Sequence, residues 1–266
     1  NQLGSLHLDY LLLTRAELGL MPKKPATVKT IVTTDLQARI AEKHGVTCFE
    51  CLTGFKWIAD LMRRFESDVA SAGGDHFEFV YGTEESYGHL IETEVRDKDG
   101  ISAAALTAEM TLYWRSKGKS LLERLEELYL EYGYFEEKSI NKYFEGPTGM
   151  DVMKGIMDGY RREQPTGFGG FKVVRVRDVK AGLEWEASAR SAARKLDLPS
   201  SDVLQWLLED GTKVTVRPSG TEPKIKFYIL LCSDVVGGAS GLPAARSASA
   251  VKAAAITADI RKAIGA

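Results

Sequence analysis

The chain has 266 residues, 44% of them hydrophobic, with 35 Lys and Arg against 37 Asp and Glu. That length and composition suit two domains of ordinary size that fold without disulfides or a structural metal. A formal net charge of −2, with no basic tail or stripe, argues against a general nucleic-acid binder, so any anion site must be local.

No run approaches the ~20 apolar residues needed to cross a bilayer, and no leader with a charged and then an apolar region opens the chain. Of the three cysteines, Cys48 and Cys51 form a lone C-x-x-C without the second ligand pair of a zinc site. The expectation is a cytoplasmic protein that binds neither membrane nor metal through this chain.

The first residues, Asn1-Gln2-Leu3-Gly4, lack an initiator Met and run directly into Leu6, Leu8, Leu11, Leu12 and Leu13. They read as the start of a cut chain. Residues 3–18 carry apolar side chains at helical spacing and end at Gly19 and Pro22. Residues 1–26 are therefore expected to be the closing helix of a preceding domain plus a linker.

Residues 27–138 alternate between the two periodicities. Thr27–Thr33 is a β-branched run, and Leu36, Ile40 and Gly45 outline a helix. Thr47–Leu52 is strand-like, Phe55–Phe65 helical, and Phe77–Tyr81 a short apolar strand. Repeated βαβ order predicts an α/β domain with a mainly parallel sheet. After a loop at 82–88, Asp99-Gly100 can open a helix, Ser120 with Glu123 forms a capping box, and Gly133 closes the last helix.

Residues 138–148 lose periodicity and gain Gly and Pro, which places the domain boundary there and leaves 139–266 as the second domain. Met150–Tyr160 is helical in pattern, Phe171–Val176 alternates, and Val203–Leu208 leads through an Asp210-Gly211 turn into Lys213–Arg217. This predicts an α+β domain with antiparallel strands and flanking helices. Residues 237–250, rich in Gly, Ala and Ser, read as a loop before a final helix at 251–264.

The most informative stretch is 211–231, two alternating strands around Pro218-Ser219-Gly220-Thr221-Glu222-Pro223. By the period of two, Lys213, Thr215 and Arg217 share one face, as do Lys224, Lys226 and Tyr228, while Val214, Val216, Ile225, Phe227 and Ile229 face a core. Spacing alone allows two readings. The lysines can simply keep one face wet, or Arg217, Lys226, Ser219, Thr221 and the amides freed by Gly220 can form a nest for a phosphate dianion.

Residues 217–223, RPSGTEP, closely resemble the R-x-S-G-T-E-P phosphate-binding loop in the last domain of the α-D-phosphohexomutases, the phosphoglucomutase/phosphomannomutase family. Residues 82–88, GTEESYG, are similar to that family's G-E-E-S-[FY]-G sugar loop, with Thr83 as an additional residue. Residues 52–58, LTGFKWI, are similar to its P-T-G-[WF]-K segment. The resemblance covers nearly the whole chain and implies the third and fourth of four domains.

By this resemblance Glu84 and Ser86 bond adjacent sugar hydroxyls, Lys56 reaches the substrate, and Arg217, Ser219, Gly220, Thr221 and Lys226 hold phosphate. His89 falls where some members carry a histidine that assists proton transfer. Lys226 stands where many relatives have arginine, so a bidentate grip becomes a point-charge contact. His7, His44 and His76 have no partners at metal-ligand spacing and read as packing or surface residues.

The family's phosphoserine loop, of T-x-S-H-N-P type, and its magnesium loop, of D-G-D-x-D-R type, occur nowhere in the 266 residues. The resemblance thus implies part of an isomerase that interconverts hexose 1-phosphate and hexose 6-phosphate. The chain would have no cofactor of its own, Mg2+ would serve the full-length parent, and its partners would be a hexose phosphate and the missing amino-terminal domains of the same protein. The alternative is a non-catalytic sugar-phosphate binding protein. A purely structural module explains the three motifs poorly.

Overall fold

The computed structural model describes residues 1–71, 76–146, 148–220 and 222–265. The chain forms two units, Asn1–Tyr132 and Gly133–Ala266.

In the first unit the order is α1 (Gln2–Glu17), β1 (Pro25–Thr30), α2 (Leu36–Lys43), β2 (Thr47–Cys51), α3 (Phe55–Ser71), β3 (Glu78–Glu84), β4 (Gly88–Leu90), α4 (Gly100–Ser116) and α5 (Leu121–Tyr132). The sheet order is β2-β1-β3-β4, with β1 parallel to both β2 and β3, and β4 returning antiparallel along β3. This is the expected mainly parallel sheet. Ala26, Val28, Ile58, Met62 and Leu90 are fully buried at its centre.

The ends of these elements follow from local chemistry. Asp99 accepts from the Ile101 N–H at 2.8 Å and caps α4. Ser120 and Glu123 form the expected capping box: the Ser120 N–H donates to Glu123 Oε2 at 2.7 Å, and the Glu123 N–H donates to Ser120 Oγ at 3.2 Å.

Helix α1 is not the tail of another domain, as residues 1–26 suggested, but an integral part of this unit. It buries Leu6, Leu8, Tyr10, Leu11 and Leu12 and packs on α2, α4 and α5. Its buried Asp9 accepts from Arg124 of α5 through Nε at 2.9 Å and Nη2 at 2.7 Å. The leucine-rich stripe did signal a missing surface, and the first unit itself supplies that surface.

The second unit runs β5 (Tyr134–Tyr143), α6 (Gly149–Arg162), β6 (Gly167–Phe168), β7 (Phe171–Asp178), β8 (Leu183–Glu186), β9 (Arg194–Lys195), β10 (Leu204–Leu208), β11 (Lys213–Pro218), β12 (Lys224–Ser233) and α7 (Leu242–Ala263). Its sheet is antiparallel in the order β5-β12-β11-β10-β7-β8-β9, with β6 paired to β7. Val214, Val216, Ile225, Phe227 and Ile229 are fully buried, as the alternation predicted, against Met153 and Met157 of α6 and Ile256 and Ile260 of α7. Trp206 is completely buried among the rings of Tyr160 and Phe168, and its Nε1 donates to Gln164 Oε1 at 2.8 Å.

Two boundaries move. The division falls between Tyr132 and Gly133, upstream of the 138/139 boundary read from sequence, because residues 134–143 form an edge strand paired residue for residue with β12. Edge strands tolerate charge on their open face, and the polar run that resembled a linker is that face. Residues 242–250, expected as loop, are the first turns of α7, which has Pro at its start. Alanine is the strongest helix former, so an Ala- and Ser-rich stretch with one apolar face folds once it can pack.

Candidate functional site

The parallel strands β1, β2 and β3 end on one side of the first unit, the side where open α/β sheets bind ligands. Here β3 turns back into β4 through a tight hairpin. Glu84 pairs with Gly88, leaving Glu85, Ser86 and Tyr87 as a three-residue tip. Tyr87 has φ 58 and is 96% exposed, so it takes the left-handed position that closes such hairpins. The expected loop at 82–88 is thus mostly strand, with only its tip irregular.

The Glu84 carboxylate is held from the start of α3. Its Oε2 accepts from the Gly54 N–H at 2.8 Å, which joins two of the three sequence-predicted segments. Burial pushes the Glu84 carboxyl pKa up, against the Gly54 N–H, which favours the ionised form. The fit is close: a Cβ on Gly88 would lie 2.6 Å from the Phe55 ring and 2.9 Å from Glu84 Cγ.

Ser86 is exposed at the tip, and its hydroxyl donates to Glu85 Oε1 at 3.3 Å. The Thr30 hydroxyl at the end of β1 in turn donates to Glu85 Oε2 at 3.4 Å. The additional Thr83 is buried and donates to the Gly88 carbonyl at 3.0 Å, closing the hairpin from within. Lys56 lies in the first turn of α3, exposed, with its ammonium 4.9 Å from the Trp57 ring centroid.

His89 is not at the tip. It pairs with Thr83, one residue out of phase with the Glu84–Gly88 pair, so its side chain takes the other face of the hairpin. There Tyr81 Oη lies 2.7 Å from His89 Nδ1, and the His7 ring centroid lies 5.1 Å from that of His89. Burial lowers the His89 pKa to about 4 and that of His7 to about 3, so both rings are neutral at neutral pH. His7, read as ordinary packing, is fully buried, with Nε2 2.8 Å from the Thr107 hydroxyl.

The sequence reading missed Lys29. It is fully buried in β1, with Nζ 2.9 Å from both Asp35 Oδ1 and Glu50 Oε1 and donating to the Thr33 carbonyl at 3.2 Å. These charges meet because β1 and β2 place Lys29 opposite Glu50. Only the strand register reveals that, and no motif encodes it. Burial also pushes the Cys51 thiol up to about 12, so Cys51 is no ready thiolate.

In the second unit the β11–β12 hairpin carries the other predicted loop. Arg217 sits directly opposite Lys226, both half-buried, and neither forms an ion pair among the described residues. At the tip the Ser219 N–H donates to the Lys224 carbonyl at 2.7 Å, and the Lys224 N–H to the Glu222 carbonyl at 2.7 Å, which makes a compact turn. Gly220 is exposed, and Thr221 lies outside the described residues. A groove of about 510 Å3 borders the loop, lined by Arg217, Ser219 and Gly220 together with Asp151, Lys154 and Asp202.

Residues 1–132 match the family description "Phosphoglucomutase/phosphomannomutase, alpha/beta/alpha domain III", and residues 172–234 match "Phosphoglucomutase/phosphomannomutase, C-terminal domain". The chain belongs to the phosphoglucomutase/phosphomannomutase family. It is 35% identical over 234 residues to a phosphoglucomutase of Staphylococcus haemolyticus, covering 88% of this chain and 40% of that protein. It is 32% identical over 235 residues, with the same coverage, to a phosphoglucomutase of Staphylococcus aureus strain MRSA252.

The chain therefore spans about 40% of the length of the curated relatives it matches. The fold is shared with the open form of the Paramecium phosphoglucomutase parafusin (TM-score 0.54, 17% identity, 98% of this chain and 40% of that one). It is shared as well with a phosphoglucomutase/phosphomannomutase family protein of Burkholderia thailandensis (TM-score 0.51, 12% identity, 98% and 41%).

Among the described residues no group of three or more His, Cys, Asp or Glu is placed to hold a metal ion.

Proposed function

We propose that this chain supplies the sugar-binding and phosphate-binding parts of a phosphohexomutase, a cytoplasmic enzyme that interconverts hexose 1-phosphate and hexose 6-phosphate. The observation that carries the reading is the pairing of Arg217 with Lys226 beside Ser219: two cations without ion-pair partners among the described residues, near the tip of the β11–β12 hairpin. A phosphate dianion supplies the charge those two groups lack, and the Ser219 hydroxyl and the Gly220 N–H can donate to its remaining oxygens.

In the first unit the Glu84 carboxylate can accept from two sugar hydroxyls while the Gly54 N–H fixes its orientation. Ser86 at the tip can donate or accept at a neighbouring hydroxyl, and Lys56 can leave the Trp57 face to meet an anionic substrate. His89, whose ring lies on the other face of the hairpin, serves through Tyr81 and Thr83 as support for the loop.

Phosphoryl transfer depends on a positioned donor and on charge stabilisation at the moving group. The phosphoserine and magnesium loops of the family are not in this sequence, so transfer is the work of the amino-terminal domains of the parent protein. We expect the chain alone to bind and orient substrate without turning it over.

Titration with glucose 1-phosphate and glucose 6-phosphate tests this reading. Saturable binding that is lost in Arg217→Ala and weakened in Glu84→Ala is the expected result. Binding indifferent to both substitutions, or mutase turnover by the purified chain free of contaminating enzyme, would overturn it.

A further inference from the structure

The groove beside the phosphate loop has a second wall, formed by a helix that no motif singled out. Helix α6 begins against the loop: a Cβ built on Gly149 would stand 2.9 Å from the Cβ of Pro223. The positive end of a 14-residue helix therefore abuts the turn. Asp151 and, one turn later, Lys154 line the same groove as Arg217 and Ser219.

The charges in this groove are unevenly committed. Asp202 is neutralised by Arg161, whose Nη2 lies 2.5 Å from its Oδ1. Asp151 and Lys154 are both exposed and, among the described residues, form no ion pair, not even with each other across one turn. The groove thus offers an uncommitted ammonium on α6 facing the same space as the Arg217 guanidinium.

We propose that Lys154 is a direct ligand of the phosphate held by the Arg217 loop, so that a phosphate monoester dianion is gripped between β11 and α6, while Asp151 on the same turn tempers the affinity by repulsion. This rests on the reading of the loop as a phosphate site. The arrangement also compensates for Lys226: two point charges from separate elements fix a tetrahedral anion that a single bidentate arginine would otherwise orient.

The two α6 residues act with opposite signs, and packing effects would not reproduce that pattern. The test is titration of the 266-residue chain with glucose 1-phosphate at low and high salt, using K154A, K154R, D151N and R217A. K154A should weaken binding about two- to fivefold and flatten its salt dependence, K154R should restore most of the affinity, and D151N should tighten binding by a similar factor, the scale of solvated charge pairs.

If R217A abolishes binding while K154A and D151N leave affinity and salt dependence unchanged, the proposal is overturned and the loop reading stands. If R217A binds like the unsubstituted chain, or if the unsubstituted chain itself does not bind, the loop reading falls and this proposal falls with it.

Discussion

Replacing Gly88 with alanine tests whether the β3–β4 hairpin and the start of α3 form one fitted unit. The new methyl carbon would lie 2.6 Å from the Phe55 ring and 2.9 Å from Glu84 Cγ, where carbon atoms normally rest at about 3.5–4.0 Å. Phe55 is buried and cannot swing away freely, so roughly 1 Å of displacement must be shared with Glu84. Overpacking of this kind costs about 1–3 kcal/mol. Displacing Glu84 also strains its charge-assisted bond to Gly54, worth about 1.5–3 kcal/mol when intact. We expect the first unit to lose about 2–3 kcal/mol, measured by hydrogen exchange of its own amides, while the second unit is unchanged. Affinity for glucose 1-phosphate should fall with it. Gly100→Ala is the control, because nothing lies within 4 Å of its added carbon, and a glycine-to-alanine change in a helix costs nothing there. Native stability and unaltered affinity in Gly88→Ala would refute the reasoning.

Two further outcomes follow from buried charge. His7 and His89 have folded pKa values of about 3 and about 4, below their value of 6.5 in an unfolded chain. Their contribution is therefore fully present above pH 6.5 and is lost as pH falls through 4 toward 3. Denaturation midpoints of the first unit should drop across that window, and His7→Gln should flatten the drop; an identical pH profile would count against the buried histidine pair. Lys29→Met leaves Asp35 and Glu50 without their shared cation and should cost about 2–4 kcal/mol by urea denaturation, less than for a wholly buried pair because both carboxylates are 25% exposed. Adding Glu50→Met to Lys29→Met should recover part of that loss, and a further loss instead would contradict the account.

Much of this architecture was legible in the residues because local and tertiary preferences agree. The alternation of 213–217 and 224–229 gave the buried face of the second sheet residue by residue, since a period of two leaves no choice once one face is apolar. The Ser120–Glu123 cap is decided within one turn of helix and was equally readable. What escaped depended on distant partners. Leu6–Leu12 announce a buried stripe without saying what covers it, and Tyr134–Tyr143 reads as a linker until β12 lies alongside. The Ala-rich start of α7 resembles low complexity until it packs. At the site, Glu84, Gly54 and the Arg217 loop could be named from motifs, but the bond joining Glu84 to Gly54 could not. His89 illustrates the remaining gap. Adjacent to the loop in sequence, it points the other way because strand side chains alternate.

Both candidate binding loops are tips of antiparallel hairpins, β3–β4 and β11–β12, whose stems carry the burial. The strands answer to the core and the tips to the ligand, so the two can vary on separate accounts. On the proposed reading, a substitution at Arg217 or Lys226 would change what is bound with little risk to folding, whereas Val216 and Phe227, one residue away in each strand and fully buried, have no such freedom.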